Sequence, residues 1–470
     1  MKNKQTRRKF LACSGAGVLG ILAGGGTYAG TRPSIDEKKC LARDVSNDKI
    51  FDVIVVGGGP SGCAAAAASA REGAKTLLIE AMGVLGGMGT AGMVPSWTPF
   101  SDGEKIIYKG LAEKIFLESK KGVPHVPANR LDWVPIHTEY LKIVYDRLMK
   151  EYGVKVLFFS RLATVEMGSA GIIDAITIAN KAGLNAYKAS IYVDCTGDGD
   201  LATWAGANVF KGNQNGDMQM PSFCFSFANV NEEAFRKSPS LHYTNPNSLI
   251  YKILESNEFP LIIDNHVVNP MVSPGVVQFN IGHLKGLNPL DPDDLTEAMF
   301  RGRQMVVQYH EALKKYIPEV YGQSSIASTC SLLSVRETRR IEGDYIFSVE
   351  DWLARRDFDD SIGRNNYYID IHIGAAMNDE RYAHYKKGET HGIPYRILTP
   401  KGIKNLLVGG RCVSTDAIAF GSLRVMPACI VTGEAAGLAA AIAAKQANHD
   451  THKVDTQHLR KRLKEEGQLI

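Results

Sequence analysis

The sequence has no two cysteines in CxxC spacing and no CxxCH motif, although eight cysteines are spread along its 470 residues. It therefore offers no haem-attachment motif, no redox disulfide between adjacent cysteines and no zinc knuckle, and we predict no metal site. Low-complexity tracts and internal repeats are also lacking, which excludes a disordered chain and a solenoid or propeller. A chain of this length predicts two or three folding units.

An excess of charge of either sign is missing from the body of the chain. The formal net charge is +4, but the first 29 residues contain five basic side chains and no acidic one. Without that segment the net charge is −1, from the same count. No basic stripe remains that would bind nucleic acid, so we expect no nucleic-acid partner.

Residues 1–29 have the composition of an export signal. A basic stretch ends in Thr6-Arg7-Arg8-Lys9-Phe10-Leu11, a Gly-rich apolar stretch runs to about Gly26, and Thr27-Tyr28-Ala29 offers small residues for cleavage. The paired arginines followed by Phe-Leu resemble a twin-arginine signal. That resemblance implies the twin-arginine export machinery as a partner and a periplasmic or otherwise exported bacterial protein. The alternative is an uncleaved membrane anchor, which the many glycines disfavour; beyond Gly30 no apolar run is long enough to span a bilayer.

A glycine-rich turn lies between two predicted parallel strands. The apolar run Phe51–Val56 is followed by Gly57-x-Gly59-x-x-Gly62, an Ala-rich helix to Ala70 and a second strand, Lys75–Ile79, that ends at Glu80. Gly57 permits a tight turn, Gly59 lets the backbone approach a pyrophosphate, and Gly62 lets helix and strand pack closely. The helix N-terminus attracts phosphate, and Glu80 can bind a ribose diol. We predict a dinucleotide-binding βαβ unit; the alternative is a glycine-rich turn of another α/β domain.

Several further segments indicate which dinucleotide the βαβ unit binds. They are Gly83–Gly89, Asp194–Asp200, Ser334–Tyr345, Tyr368–His372, Ile393–Arg396, Asn405–Arg411 and Phe420–Pro427, the last leading into an Ala/Gly-rich helix at about 427–445. Together with the glycine fingerprint they resemble the FAD-dependent oxidoreductase family of the glutathione-reductase-type Rossmann superfamily, over about residues 50–467.

The resemblance implies an α/β fold in which a discontinuous FAD-binding Rossmann-like domain carries an inserted α+β substrate domain. The FAD domain would comprise 50–100, 140–208 and 400–446, the insert 209–399, and a C-terminal helix 447–470. The residues expected at the cofactor are Gly57, Gly59, Pro60, Ser61, Gly62, Glu80, Gly86, Gly87, Met88, Thr196, Gly197, Gly410, Arg411, Gly421, Arg424, Val425 and Met426. The helix after Arg424 would point its N-terminus at the flavin N1 and C2 carbonyl, where reduced flavin carries negative charge.

Two absences refine the expected use of FAD. The first histidine is His125, so none follows Glu80 closely, and we expect noncovalent FAD. Gly197-x-Gly199-x-x-Ala202 is not followed by a strand and acid at the right distance, so no separate NAD(P)H domain is predicted. Electrons would then pass between a small-molecule substrate and an external electron carrier.

Asp370 and His372 are the first candidates for catalysis. They are two apart on a predicted strand, so their side chains share one face, and an acid beside a histidine fixes its tautomer. His372 would be the acid/base, with His283 as a weaker candidate; the alternative is a structural hydrogen-bond network. Arg396 and Arg424 are expected in the pocket, where arginine suits a carboxylate.

Arg336, Arg339 and Arg340 form a second basic group, with Glu337 and Glu342 as available partners. We interpret most of this group as structural ion pairs; the alternative is that one arginine reaches FAD or an anionic substrate. The leading functional hypothesis is an FAD-dependent oxidoreductase that exchanges hydride between flavin N5 and a small polar metabolite, with anionic and carbohydrate-derived compounds as options. The alternatives are a flavoprotein lyase with a non-redox elimination, and an electron-transfer flavoprotein, which the large insert disfavours.

Overall fold

The strands and helix around the glycine-rich turn form where the sequence predicts them in the computed structural model, which describes residues 46–372, 385–446 and 448–470. The predicted export signal lies outside the described residues. The strands are β1 (Ile50–Val56), β2 (Thr76–Ile79), β3 (Lys155–Leu157), β4 (Arg161–Met167), β5 (Ile173–Asn180), β6 (Gly183–Asp194), β7 (Val209–Lys211), β8 (Phe225–Ala228), β9 (Met271–Ser273), β10 (Val276–Phe279), β11 (Ser325–Thr329), β12 (Arg339–Ile341), β13 (Ser361–Asn365), β14 (His391–Pro394) and β15 (Leu406–Val408).

The helices complete the list of regular elements. They are α1 (Pro60–Arg71), α2 (Leu111–Lys120), α3 (Thr138–Glu151), α4 (Asp200–Trp204), α5 (Glu232–Lys237), α6 (Leu249–Ser256), α7 (Pro292–Tyr316), α8 (Pro318–Tyr321), α9 (Val349–Leu353), α10 (Phe420–Leu423), α11 (Met426–Ala444) and α12 (Thr456–Glu465). Helix α12 is shorter than the predicted C-terminal helix 447–470 within which it lies, and its Leu459 and Leu463 are fully buried.

A seven-stranded sheet organises the first core. Strands β3, β2, β1, β6 and β15 lie side by side in that order and pair in parallel. The first half of β6 also pairs antiparallel with β5, which pairs with β4. Because the parallel strands end at one edge, the turns after β1, β6 and β15 lie next to one another there.

Backbone contacts explain two glycines of the turn after β1. Gly57 has φ +96°, and a Cβ atom there would lie 2.4 Å from the carbonyl oxygen of Cys195. A Cβ atom at Gly62 would lie 1.7 Å from the carbonyl oxygen of Gly57. Neither neighbour is a flexible side chain, so the turn, the start of α1 and the loop after β6 fit together only with glycine at both positions.

Helix α11 packs against the Ala-rich helix α1 inside the first core. Among the described residues it is the helix whose length and hydropathy would suffice to cross a membrane, but 94% of its apolar window is buried in the protein. It therefore serves as a core helix. Its first residue, Met426, follows the segment Arg424-Val425, which was predicted to lie near the cofactor.

A second core forms around an antiparallel sheet in the order β11-β8-β10-β9, covered by α7. Its centre is aromatic, with the rings of Phe225 and Phe279 stacked 4.9 Å apart. The α/β fold with a second, α+β region is as predicted.

The ends of the second core differ from the predicted insert of 209–399. Its buried apolar residues run from Phe223 to Leu333, together with Met93, whereas those from Ile341 to Leu398 pack into the first core. Strands β7 and β12 pair antiparallel. The chain therefore leaves and re-enters the first core on adjacent strands, and the separate core ends well before residue 399.

Candidate active site

One cavity of about 1010 Å³ collects segments that are far apart in the sequence. The turns after β1, β6 and β15 and the N-terminus of α11 all line it. Fourteen of the seventeen residues expected at a cofactor are among its lining residues: Gly57, Gly59, Pro60, Ser61, Glu80, Gly87, Met88, Thr196, Gly197, Gly410, Arg411, Arg424, Val425 and Met426.

The remaining three expected residues lie behind the cavity wall and shape it. Gly62 packs α1 against the turn. Gly86, with φ +94°, donates its N–H to the carbonyl oxygen of Gly58 at 2.8 Å. Gly421 lies against Asp370, whose backbone nitrogen would be 2.9 Å from a Cβ atom at this position. All three have a packing role in the structure, and their contact with a cofactor stays a prediction.

The cavity wall has the groups that a bound dinucleotide requires. Helices α1 and α11 both begin at the cavity without a side-chain cap, which leaves their first N–H groups free for anionic oxygens. No atom lies within 4 Å of a Cβ built on Gly59, so the backbone is open to the cavity there. These features fit a pyrophosphate at the N-terminus of α1 and the polar edge of a cofactor ring at the N-terminus of α11.

Glu80 and Arg411 are held by their own surroundings. The Glu80 carboxylate accepts hydrogen bonds from the N–H groups of Gly58 and Met82, both at 2.7 Å. Arg411 donates to Asp198 at 2.6 Å and to the carbonyl oxygen of Val335 at 2.8 Å. Hydrogen bonds within the protein therefore hold both side chains at the cavity wall.

Asp370 and His372 meet in the same cavity. Nε2 of His372 lies 2.9 Å from Oδ1 of Asp370, and Arg424 donates to the other carboxylate oxygen at 3.0 Å. The side-chain oxygen of Gln219 accepts hydrogen bonds from Arg424 and from the backbone N–H of His372. The predicted strand is absent at Asp370–His372, which is extended but irregular, yet the two side chains pair as expected.

Burial and charge set the protonation of this pair. Burial lowers the pKa of His372 to about 4, and Arg336 acts in the same direction against the opposing effect of Asp370. For Asp370, burial raises the pKa, but His372 and Arg424 outweigh it and hold it well below its usual range. At neutral pH, Asp370 is ionised and His372 is neutral. Its Nε2–H must then donate to Asp370, which leaves the lone pair on Nδ1.

Two further histidines lie beside His372. The ring centroids of His266 and His283 are 5.0 and 4.9 Å from that of His372. His283 contacts Asp264 through Nδ1 at 3.1 Å and accepts from Arg336 through Nε2 at 3.3 Å. Since arginine only donates, His283 is the Nδ1–H tautomer and both its nitrogens are engaged.

In the described part of the chain, no group of three or more His, Cys, Asp or Glu side chains could hold a metal ion.

The three arginines of the 336–340 segment have different partners. Arg339 forms an ion pair with Asp200 at 2.8 Å, and Arg340 with Glu337, in agreement with the structural interpretation. Arg336 departs from that interpretation. It is 8% exposed, lines the cavity and donates to the hydroxyl of Ser222 at 2.7 Å.

Arg396 does not face the cavity, contrary to the prediction from the sequence. Its side chain is 48% exposed, forms an ion pair with Asp360 at 2.9 Å and does not line the cavity. The short 3₁₀ turn at Tyr395–Ile397 buries Tyr395 and Ile397 in the first core, and this turns Arg396 outward. The expectation that it faces the pocket is therefore corrected.

Several residues of the site were not singled out from the sequence, chiefly Gln219, Asp264 and His266. Asp264-x-His266 repeats the spacing of Asp370-x-His372, and that repetition was an available signal. The two pairs differ, because the Asp264 carboxylate contacts the ring of His283 and accepts from the backbone N–H of His266. Nothing local in the sequence marks Gln219.

The sequence profile of the family described as FAD dependent oxidoreductase matches residues 52–463. The chain belongs to this family. Its membership confirms that the protein is an FAD-dependent oxidoreductase and that FAD is its cofactor.

More distant similarities are limited in extent or degree. Glutathione reductase of Schizosaccharomyces pombe (strain 972 / ATCC 24843) is 34% identical over 115 residues, which are 23% of each chain. The chain thus spans about a quarter of the curated relative that it matches. Among solved structures, a geranylgeranyl bacteriochlorophyll reductase-like protein from Thermoplasma acidophilum is 14% identical with a TM-score of 0.43, covering 89% of this chain and 84% of its own. A flavin-dependent brominase is 12% identical with a TM-score of 0.42, covering 88% and 83%.

Proposed function

We propose that this FAD-dependent oxidoreductase oxidises or reduces a small polar metabolite, with His372 as the group that takes or gives the proton. The observation that carries the proposal is the 2.9 Å contact between His372 and Asp370 in the cavity that the glycine-rich turns also line. FAD bound in that cavity supplies the hydride acceptor or donor at its N5 position.

The cofactor end of the cavity has a distinct set of residues. The free N–H groups at the start of α1, beside Gly59 and Ser61, would hold the pyrophosphate. Glu80 would accept from the adenosine ribose, and the start of α11 would face the flavin's N1 edge. The first histidine after Glu80 is His125, so no histidine near Glu80 in the sequence could attach FAD covalently. We therefore propose that FAD is held noncovalently.

The proton chemistry rests on the Nδ1 lone pair of His372. In the oxidative direction, the substrate's O–H or N–H proton passes to Nδ1 as a hydride leaves the adjacent carbon, and both return in the reductive direction. Asp370 fixes the tautomer and stabilises the imidazolium that forms, and Arg424 holds Asp370 in place. His283 is a poor second base, because both its ring nitrogens already have partners.

The test is anaerobic mixing of the purified holoprotein with candidate polar metabolites while flavin absorbance is followed. A substrate should bleach the flavin, and H372Q should slow bleaching by about 10²- to 10⁴-fold without loss of FAD. Turnover without any change of flavin redox state would favour a non-redox lyase. The carrier that reoxidises or reduces the flavin is proposed to be external and can be identified by which acceptor or donor supports repeated turnover.

We also propose that the protein is exported folded through the twin-arginine route. The motif that supports this is Arg7-Arg8 before Phe10-Leu11, and a protein that binds FAD in the cytoplasm needs a route for folded chains. Replacing both arginines by lysine should retain the FAD-loaded protein in the cytoplasmic fraction. An unchanged distribution between cytoplasm and periplasm would contradict the proposal.

A further inference from the structure

Arg336 is a buried cation that no described carboxylate contacts. Its side chain lines the cavity beside Asp370 and His372 but forms no ion pair with any Asp or Glu in the described part of the chain. Arg339, Arg340, Arg411 and Arg424 each form one. A charge that is buried without an oppositely charged partner is strongly unfavourable, because it has lost its hydration. Retaining it at a cavity wall therefore indicates a ligand that provides the partner.

The contacts of Arg336 leave part of its guanidinium free. Nη2 donates to the Ser222 hydroxyl at 2.7 Å and to His283 at 3.3 Å, both of which are neutral acceptors. Nε is buried and has no hydrogen-bonding partner, and no residue of the described ranges accepts from Nη1. The side chain is thus oriented by one nitrogen, while two others keep unused N–H donors.

The local charges favour one negative charge on the ligand. Asp264 is held away from Arg336 by the intervening ring of His283, and Asp370 is already shared by His372 and Arg424. Burial lowers the pKa of Arg336 to about 10, and the charge of Arg424 acts in the same direction against the opposing effect of Asp370. Arginine therefore remains charged at neutral pH. A doubly charged phosphate would be repelled by Asp370, whereas a carboxylate matches both the charge and the planar donor set.

We propose that the substrate of this site carries a carboxylate group and that Arg336 binds it, which places the reacting carbon next to His372. The inference rests on the proposed function of the same cavity. Nδ1 of His266, which is buried and has no partner among the described residues, provides a second polar contact at the same wall. The substrates are thus hydroxy, amino or unsaturated acids rather than neutral sugars or alcohols.

The test measures binding, which needs no turnover. The holoenzyme is titrated with glycolate and propionate, with glycolamide and propionamide as neutral matches, and with inorganic phosphate, while the flavin difference spectrum is recorded. Carboxylates should give a saturable change and the amides none. R336Q should weaken carboxylate binding about ten- to a hundredfold, as expected for loss of hydrogen bonds to a charged group. R336K, which keeps the charge but loses the planar donors, should fall between R336Q and wild type.

Controls separate this inference from folding effects and from the proposed function. R364Q removes a mostly buried arginine that pairs with Asp357 outside the cavity, and it should bind carboxylates like wild type. H372Q should retain carboxylate binding while losing flavin reduction. If R336Q does not retain FAD, R336K decides the outcome. Equal binding of amides and acids, preference for phosphate, or unchanged affinity in both Arg336 variants would overturn the inference. Arg336-dependent binding without flavin reduction by any acid would overturn only the redox function.

Discussion

Oδ1 of Asp370 lies 2.9 Å from Nε2 of His372, and Oδ2 of the same carboxylate lies 3.0 Å from Nη2 of Arg424. One carboxylate thus joins the proposed proton-transfer residue to the segment that begins helix α11. Asp370 is a positioning residue, because it acts through His372.

D370N should retain FAD but slow flavin reduction by about 10²-fold or more, since an amide can present a donor to Nε2 and favour the wrong tautomer of His372. The rate should also depend differently on pH, because the imidazolium loses its counter-charge. Stopped-flow reduction between pH 5 and 9 checks this. A rate and a pH profile equal to those of wild type would show that Asp370 does not act through His372.

Gly59 provides a test of the pyrophosphate site that leaves folding intact. A Cβ atom there meets nothing within 4 Å and the backbone φ is −70°, so G59A should have the thermal stability of wild type. The added methyl group would occupy space that the pyrophosphate needs, so FAD affinity should fall. The measurements are the flavin-to-protein absorbance ratio after gel filtration and the melting temperature without added FAD. Full FAD occupancy in G59A would place the pyrophosphate elsewhere.

Gly57 and Gly73 form a matched pair with positive φ. A Cβ atom at Gly57 would lie 2.4 Å from the Cys195 carbonyl oxygen, whereas nothing lies within 4 Å of one at Gly73. G73A should lower the free energy of unfolding by about 1–2 kcal/mol, because alanine must adopt the left-handed conformation. G57A should cost clearly more and lose FAD, because two backbone segments must separate. Urea unfolding of both variants checks the difference; equal losses would mean that the turn after β1 adapts freely.

Acid should destabilise the protein through its buried histidines. Burial lowers the pKa of His372 and of His391 to about 4, from 6.5. Between pH 6.5 and 4 the unfolded chain therefore binds more protons than the folded protein. The free energy of unfolding that these histidines contribute is fully present above pH 6.5 and decreases as the pH falls toward 4. The loss approaches about 1.4 kcal/mol per pH unit for each histidine.

His391 allows this pH dependence to be dissected. It is fully buried, stacks on Phe347 and shares hydrogen bonds with Asn365 and the Gly392 carbonyl oxygen. H391Q should be less stable than wild type at pH 7 but should lose less on acidification. Urea midpoints at pH 7, 6 and 5 measure both effects. An equally steep loss in the variant would mean that other groups dominate.

The sequence predicted those parts of the fold and site that depend on neighbouring residues. The βαβ unit around Gly57–Gly62 and the pairing of Asp370 with His372 follow from local spacing, and both were found. Arg396 and Arg336 were placed less well, because their surroundings depend on distant segments. Arg396 is turned outward by the burial of its neighbours Tyr395 and Ile397, while Arg336 is held by Ser222 and His283 from the second core. The convergence of Asp264, His266 and Gln219 is a property of the tertiary fold alone.

Strands β7 and β12 pair with each other where the chain departs from the first core and where it returns. The stretch between them therefore starts and ends on neighbouring strands, and further hydrogen bonds join it to Gly92 and Met93. The second core, which holds Arg336 through Ser222 and His283, can therefore diversify while the first core stays the same. Grafting the corresponding stretch from another family member between β7 and β12 is thus the natural route to a changed substrate preference.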